Sequence, residues 1–318
     1  MHTVRFFLLC AVSAALLAAG PACAQVFPTK PIRIGTAEAG GGSDFMSRLL
    51  AQGLSSGSGW QVIVENRPGA GAVSEYVAKS APDGYVLLLN GSTIWLGPLM
   101  LESVRYDAFR DFAPVTLTHR TNNLLVVNPA LAAQSVKELI ALARSGARLD
   151  YASANLGSTS HLSAELFNSM AGISMRRIPY KGTGGALTPV LAGEVQVMFA
   201  SAAAATPLVR AGKLRSLGVT SEQPSEAFPD MPTVAASLPG YEAVQMYGVF
   251  APAKTPPATI RLLNQAMVNV IKAPEHKAAF QKLGIDAVGS TPDYLAAAVK
   301  NDYTRMGKLI KEAGIKEE

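Results

Sequence analysis

Glycines 40 to 42, followed by Ser43 and Asp44, have the makings of an anion seat. Without Cβ atoms, successive glycines let the backbone turn tightly and approach a ligand closely. Ser43 or Asp44 can cap the helix that follows. The unpaired N–H groups of its first turn carry partial positive charge and attract carboxylate or phosphate. The same residues equally suit a flexible joint before a helix. A second small polar loop, Asn155-Leu156-Gly157-Ser158-Thr159-Ser160, runs into His161 and offers three more hydroxyls. Beside that loop His161 reads as a capping or hydrogen-bonding residue sooner than as a catalytic base.

Patterns for catalysis and metal binding are missing. Gly53-Leu54-Ser55-Ser56-Gly57 matches G-x-S-x-G by letter. A nucleophile elbow needs a strand before its serine and a helix after it; here the match follows a helix and reads as its Ser/Gly-rich stop. There is no Ser-x-x-Lys. His119, His161 and His276 stand far apart, without H-E-x-x-H or an Asp-rich calcium loop. Gly182-Thr183-Gly184-Gly185 lacks the spacing of a dinucleotide or phosphate loop.

The two polar loops have to be held by strands and helices, and the chain alternates them. Ile32 to Ile34 reads as a strand, and Phe45, Met46, Leu49, Leu50 and Leu54 recur at helical spacing. Further strands are expected at 61–65, 85–89, 113–117 and 124–127, with helices at 73–80 and 135–145. Strand 149–152 and helix 161–170 flank the second loop; strands follow at 176–179, 195–199 and 214–219. Three helices close the chain, at 255–271, 274–283 and 292–313. Strands separated by helices imply sheets with helices on both faces, and such sheets bind ligands beyond their strand ends. Two such units suggest one cleft between them.

Met1 to Ala24 reads as an export leader: Arg5, an apolar run from Phe6 to Leu17, and Ala22-Cys23-Ala24 before the cut. Lipoprotein cleavage at Cys23 is the alternative. Both cysteines, Cys10 and Cys23, lie in that leader, so a chain cut after Ala24 has no thiol chemistry. No later stretch is long and apolar enough for a membrane helix, and no direct membrane insertion is expected once the leader is removed. Removing Arg5 from 28 basic side chains leaves 27 against 23 acidic, a net +4. These charges are dispersed, which disfavours a nucleic-acid partner.

The motifs resemble those of the periplasmic substrate-binding proteins of tripartite tricarboxylate transporters, the Bug family. The resemblance rests on Phe27-Pro28-Thr29-Lys30-Pro31-Ile32-Arg33, Gly40 to Asp44, Val64 to Gly71 and Ala81-Pro82-Asp83-Gly84-Tyr85. It continues through Asp111 to Val115, Gly157 to Leu162, Pro179-Tyr180-Lys181-Gly182, Pro232-Thr233-Val234 and Pro239-Gly240-Tyr241-Glu242. It implies an α/β, two-lobed periplasmic binding fold of type II kind, each lobe a sheet flanked by helices with the ligand cleft between them. After the leader at 1–24, lobe 1 is expected at 25–125 plus 250–318 and lobe 2 at 126–249. The chain would then be a receptor rather than an enzyme. It would need no cofactor or metal, and would pass a small organic acid or related amide or amino compound to membrane transporter subunits. A ligand sensor for a membrane kinase is the alternative, with a hydrolase or tautomerase near His161 less favoured.

The residues expected to meet the ligand are Ala37, Glu38, Gly41, Gly42, Ser43, Ser92, Ser158, Thr159, Ser160, His161, Tyr180 and Ser201. Asp44 belongs to the same set as organiser of its loop. Trp95, beyond the third strand, either lines the cleft or joins the core. Several positions depart from the family pattern. Thr36-Ala37-Glu38-Ala39 replaces a Pro-rich approach to the loop, and Gln196 and Ala200 stand where acids are common. Two like charges about 4 Å apart cost on the order of 4 kcal/mol at intermediate dielectric. Glu38 therefore faces solvent, pairs with a cation such as Lys181, or meets a cationic or amide group of the ligand. The expected ligand carries one carboxylate on an apolar or nitrogen-bearing body, unlike citrate.

Overall fold

The computed structural model describes residues 27–37, 42–67, 71–154 and 156–316. The leader expected at 1–24, Glu38 to Gly41, and Asn155 lie outside them.

The first sheet takes β1 (Ile32–Thr36), β2 (Val62–Asn66), β3 (Val86–Gly91) and β4 (Phe112–Thr121) from the first part of the chain. The second takes β5 (Asn123–Val127), β6 (Asp150–Ser153), β7 (Arg176–Pro179), β8 (Val197–Ser201) and β9 (Arg215–Val219). β10 (Gln245–Pro252) and β11 (Ile285–Ala287) return to the first. The strand orders are β11-β4-β10-β3-β1-β2 and β7-β6-β8-β5-β9. In each sheet three parallel strands meet an antiparallel one, β10 or β5, and that strand is the first after the chain changes sheets. The two sheets are thus built to one plan and exchange a strand each.

Asn122 alone separates β4 from β5, and residues 220–244 carry the chain back. The boundaries expected at 125/126 and 249/250 therefore fall inside β5 and β10. The first crossing is closely tied. Asn122 Nδ2 donates to Ser225 Oγ at 3.1 Å and to Asp286 Oδ2 at 2.6 Å. Thr220 Oγ1 accepts from Asn123 N at 2.9 Å.

Helix α1 (Gly42–Ser58) shows why its sequence is amphipathic: Met46, Leu50 and Leu54, four apart, are fully buried. It does not stop at the Gly53-to-Gly57 stretch, as its Ser/Gly content suggests, but runs through it. Gly53 is there for packing, since a Cβ would lie 2.3 Å from Val270 Cγ1 on α8 (Pro257–Ile271). Ser55 and Ser56 hydrogen-bond backbone carbonyls of Trp60 and Gln52, so neither is a nucleophile in an elbow.

The remaining helices in chain order are α2 (Ala72–Ala78), α3 (Thr93–Met100), α4 (Val136–Arg144), α5 (Thr159–Ala171), α6 (Gly182–Ala192) and α7 (Ala202–Arg210), with α9 (Pro274–Lys282) and α10 (Pro292–Glu312) after α8. One buried apolar cluster joins the lobes. It runs from Trp95, Phe112 and Phe250 to Phe167, Phe199 and Tyr241. Trp95 belongs to this core, fully buried with Nε1 donating to Asp302 Oδ2 at 2.8 Å. Among the described residues no helix is long and apolar enough to cross a membrane.

Candidate functional site

Both polar loops sit where a parallel strand ends and a helix begins, β1 into α1 and β6 into α5. The first-turn amides of a helix have no intrahelical acceptor, so each position offers donors to a ligand.

The second loop is organised by its own side chains. Ser158 is the N-cap of α5, its Oγ accepting from His161 N and lying 3.0 Å from Ser160 Oγ. Ser160 Oγ accepts from Ala154 N at 3.0 Å. His161 is almost fully buried, and its Nδ1 accepts from Gly157 N at 3.1 Å. That bond requires a ring unprotonated at Nδ1. Burial, then the nearby Arg177, pushes the His161 pKa down to about 4, which keeps the ring in that form. Its Nε2 lies 4.0 Å from Glu165, too far for a hydrogen bond, and Glu165 instead receives the Tyr151 hydroxyl. No hydroxyl hydrogen-bonds the His161 ring among the described residues, so the nucleophile–base contact of a hydrolase is missing there. Arg177 holds the strand end below, donating to Ser153 Oγ at 2.8 Å and to Ala154 O at 3.2 Å.

The first loop is tied across its ends. Asp44 receives Arg48 Nε at 3.1 Å and Asn66 Nδ2 at 2.9 Å, and the same Asn66 nitrogen donates to Ala37 O at 3.2 Å. Asn66 Oδ1 accepts from Arg48 at 3.1 Å. One amide at the end of β2 thus links the last described residue before the glycines to the first turn after them. Asn66→Ala is expected to cost about 1–3 kcal/mol, as the sum of two or three hydrogen bonds at about 0.5–1.5 kcal/mol each, since Asp44 keeps Arg48. Urea unfolding midpoints with an unchanged m-value measure it.

Two cavities meet at Thr159 and Gln245, which line both. One, of about 200 Å³, lies between α3 and α5 and is lined by Ser92, Ser158, Leu96, Met100, Leu162 and others. The second, of about 340 Å³, lies on the crossing-strand side against Ser201, Ala202, Phe45, Asn122 and Tyr247. Behind Tyr247 the His119 ring is stacked at 4.4 Å between centroids. Of the residues expected to meet a ligand, Ser92, Ser158 and Thr159 line the first cavity, and Thr159 and Ser201 the second. The Ser92 hydroxyl also accepts from Met246 N at 3.2 Å. Ser43, Asp44, Ser160 and His161 are buried around the loops and line neither cavity. Tyr180, half-buried, donates its N–H to Ser153 O at 2.9 Å and also lines neither. Ala37 ends the described part of the first loop and Gly42 opens α1; Glu38 and Gly41 lie outside the described residues. Sequence reasoning missed Asn66, Arg177, Gln245 and Asp302 as site residues, although Asn66 stood within a motif already singled out.

Among the described residues no group of His, Cys, Asp and Glu is placed to hold a metal ion. Two lobes of common plan, joined by crossing strands, with cavities and helix starts between them, define a periplasmic binding protein fold. Residues 46–315 match the family of tripartite tricarboxylate transporter receptors, and the chain belongs to it. It is 35% identical to the protein BugT of Bordetella pertussis, over 94% of each chain. A solved TctC solute-binding protein from Polaromonas superposes with a TM-score of 0.81 at 25% identity, covering 90% of this chain and 99% of that one. An R. palustris protein solved with adipate gives a TM-score of 0.75 at 33% identity, over 91% and 99%. MatC from Rhodopseudomonas palustris, with bound malate, gives 0.70 at 26%, over 89% and 100%.

Proposed function

We propose that this chain is an exported periplasmic receptor. It seats a carboxylate of a small solute between the glycine-rich loop and Ser158 to Ser160, and hands the solute to a tripartite tricarboxylate-type transporter. The observation that carries this is the pair of cavities meeting at Thr159, at the start of α5, where hydroxyls and first-turn amides can take an anion. Family membership supports the receptor role. The adipate and malate held by two relatives support the carboxylate. In this reading His161, Ser160, Asp44 and Asn66 shape the seat, and Ser158 and Thr159 touch the solute. The leader at 1–24 directs export, and Asn122 with residues 220–244 forms the hinge between lobes.

A thermal-shift panel of mono-, di- and tricarboxylates tests the reading. A bound acid at 100 times its Kd should add about 2.7 kcal/mol of stability. No stabilisation by any carboxylate at millimolar concentration would sink it.

A further inference from the structure

Besides Ser158 and Thr159, the first cavity has much apolar surface. Leu96 and Met100 on α3, Leu162 on α5 and Met306 on α10 line it, and all four are buried. Its volume of about 200 Å³ equals about six or seven waters at about 30 Å³ each. That suits a short carbon chain, whose methylenes gain by leaving water.

Asp302 lines the same cavity. It is also the one residue shared with a charged cavity that holds Arg120, Glu242 and Arg305, so it forms the partition between the two. Its carboxylate receives Trp95 Nε1 at 2.8 Å and Arg305 at 3.3 Å. A carboxylate accepts at about four lone-pair positions, which leaves acceptor capacity for a further donor. Burial pushes the Asp302 pKa up, ahead of the opposing effects of Trp95 and Arg305. A second buried anion beside it would meet both desolvation and like-charge repulsion.

We propose that the cleft selects a monocarboxylate with a short apolar body ending in a hydrogen-bond donor, with Asp302 as the specificity-determining residue that turns a second carboxylate away. This rests on the carboxylate-receptor reading and narrows it. It sets the chain apart from the relative that holds adipate, a dicarboxylate.

Isothermal titration of the purified protein with 6-hydroxyhexanoate and with adipate, at pH 7.5, compares two acids of matched length. The expected result is at least tenfold tighter binding of 6-hydroxyhexanoate. Asp302→Asn keeps an acceptor for Trp95 and should narrow the ratio to within threefold. Adipate binding as tightly as 6-hydroxyhexanoate overturns the inference and leaves the receptor reading standing. An unchanged ratio in folded Asp302→Asn overturns the role of that residue. The wild-type ranking needs no variant. Silence from these two acids and from the whole carboxylate panel would remove the receptor reading as well.

Discussion

Lowering the pH from 7 to 5 is expected to remove about 4 kcal/mol of folding stability through two buried histidines. Burial alone pushes the His119 pKa down to about 3. Its Nδ1 pairs with Thr118 Oγ1 at 2.9 Å, and its fully buried Nε2 has no partner among the described residues. His161 is held down to about 4 by burial and then by Arg177. Protonating its ring would also set Nδ1–H against the Gly157 N–H it now receives. Both folded pKa values lie below the unfolded 6.5, so the unfolded chain binds more protons between. The stability is present above pH 6.5 and is lost as pH falls toward 4 for His161 and 3 for His119. Each histidine costs about 2 kcal/mol at pH 5, at 1.36 kcal/mol per pKa unit. Against a usual total of about 5–15 kcal/mol this is a large share. The carboxylates of Asp111 and Asp150, drawn down chiefly by Arg110 and Arg176, act only below their ordinary 3.8, outside the span from pH 7 to 5, and Asp302, raised by burial, acts in the opposite sense above 3.8. Urea unfolding from pH 7 to 5 reads the slope, and His119→Gln should reduce it by about half. A flat profile in the wild type would mean that both rings titrate in the native state as they do in the unfolded chain.

The helix starts at Gly42 and Thr159 were legible because their signal is local. Glycines beside Ser-Asp, or beside Ser-Thr-Ser, are bound to mark a turn into a helix start wherever they fall. The helices α3, α6 and α7 were not legible, and the reason is physical. Each contains a proline, at 98, 189 and 207, which breaks the expected helical reading. α3 is buried on nearly every side, so it shows no amphipathic stripe. The cavity partition was out of reach for another reason. Trp95 and Asp302 stand 207 residues apart, and only the return of α10 brings them together. Asn66 lay inside a recognised motif, yet its link from Ala37 to Asp44 depends on β2 pairing in register beside β1.

Gly157→Ala is expected to weaken binding by about five- to 150-fold, and to do so through contact between the lobes. Two separate costs meet at this residue. The backbone stands at φ +70°, and an alanine held there costs about 1–2 kcal/mol. That strain is local to the loop, so it lowers folding stability and is the same with or without ligand. The second cost is steric: a Cβ would lie 2.7 Å from Met100 Sδ and 3.1 Å from its Cε. Met100 ends α3, which follows β3 of the first sheet, whereas Gly157 lies in the loop after β6 of the second. The clash therefore arises only when the lobes are this close. Methionine is flexible and can yield, but its thioether borders the cavity that would hold the ligand's body. Either the lobes part or the cavity fills, and overpacking of this kind costs about 1–3 kcal/mol, the origin of the fold-change. Met100→Ala removes the clash and leaves the strain. The double variant should thus regain affinity for whichever acid stabilises the wild type most, while the stability lost to the alanine at 157 stays lost. Titration and urea unfolding of the four proteins form a double-mutant cycle, with at least 1 kcal/mol of coupling expected in binding. Additive binding losses would mean that Gly157 serves its own backbone conformation and has no part in lobe closure.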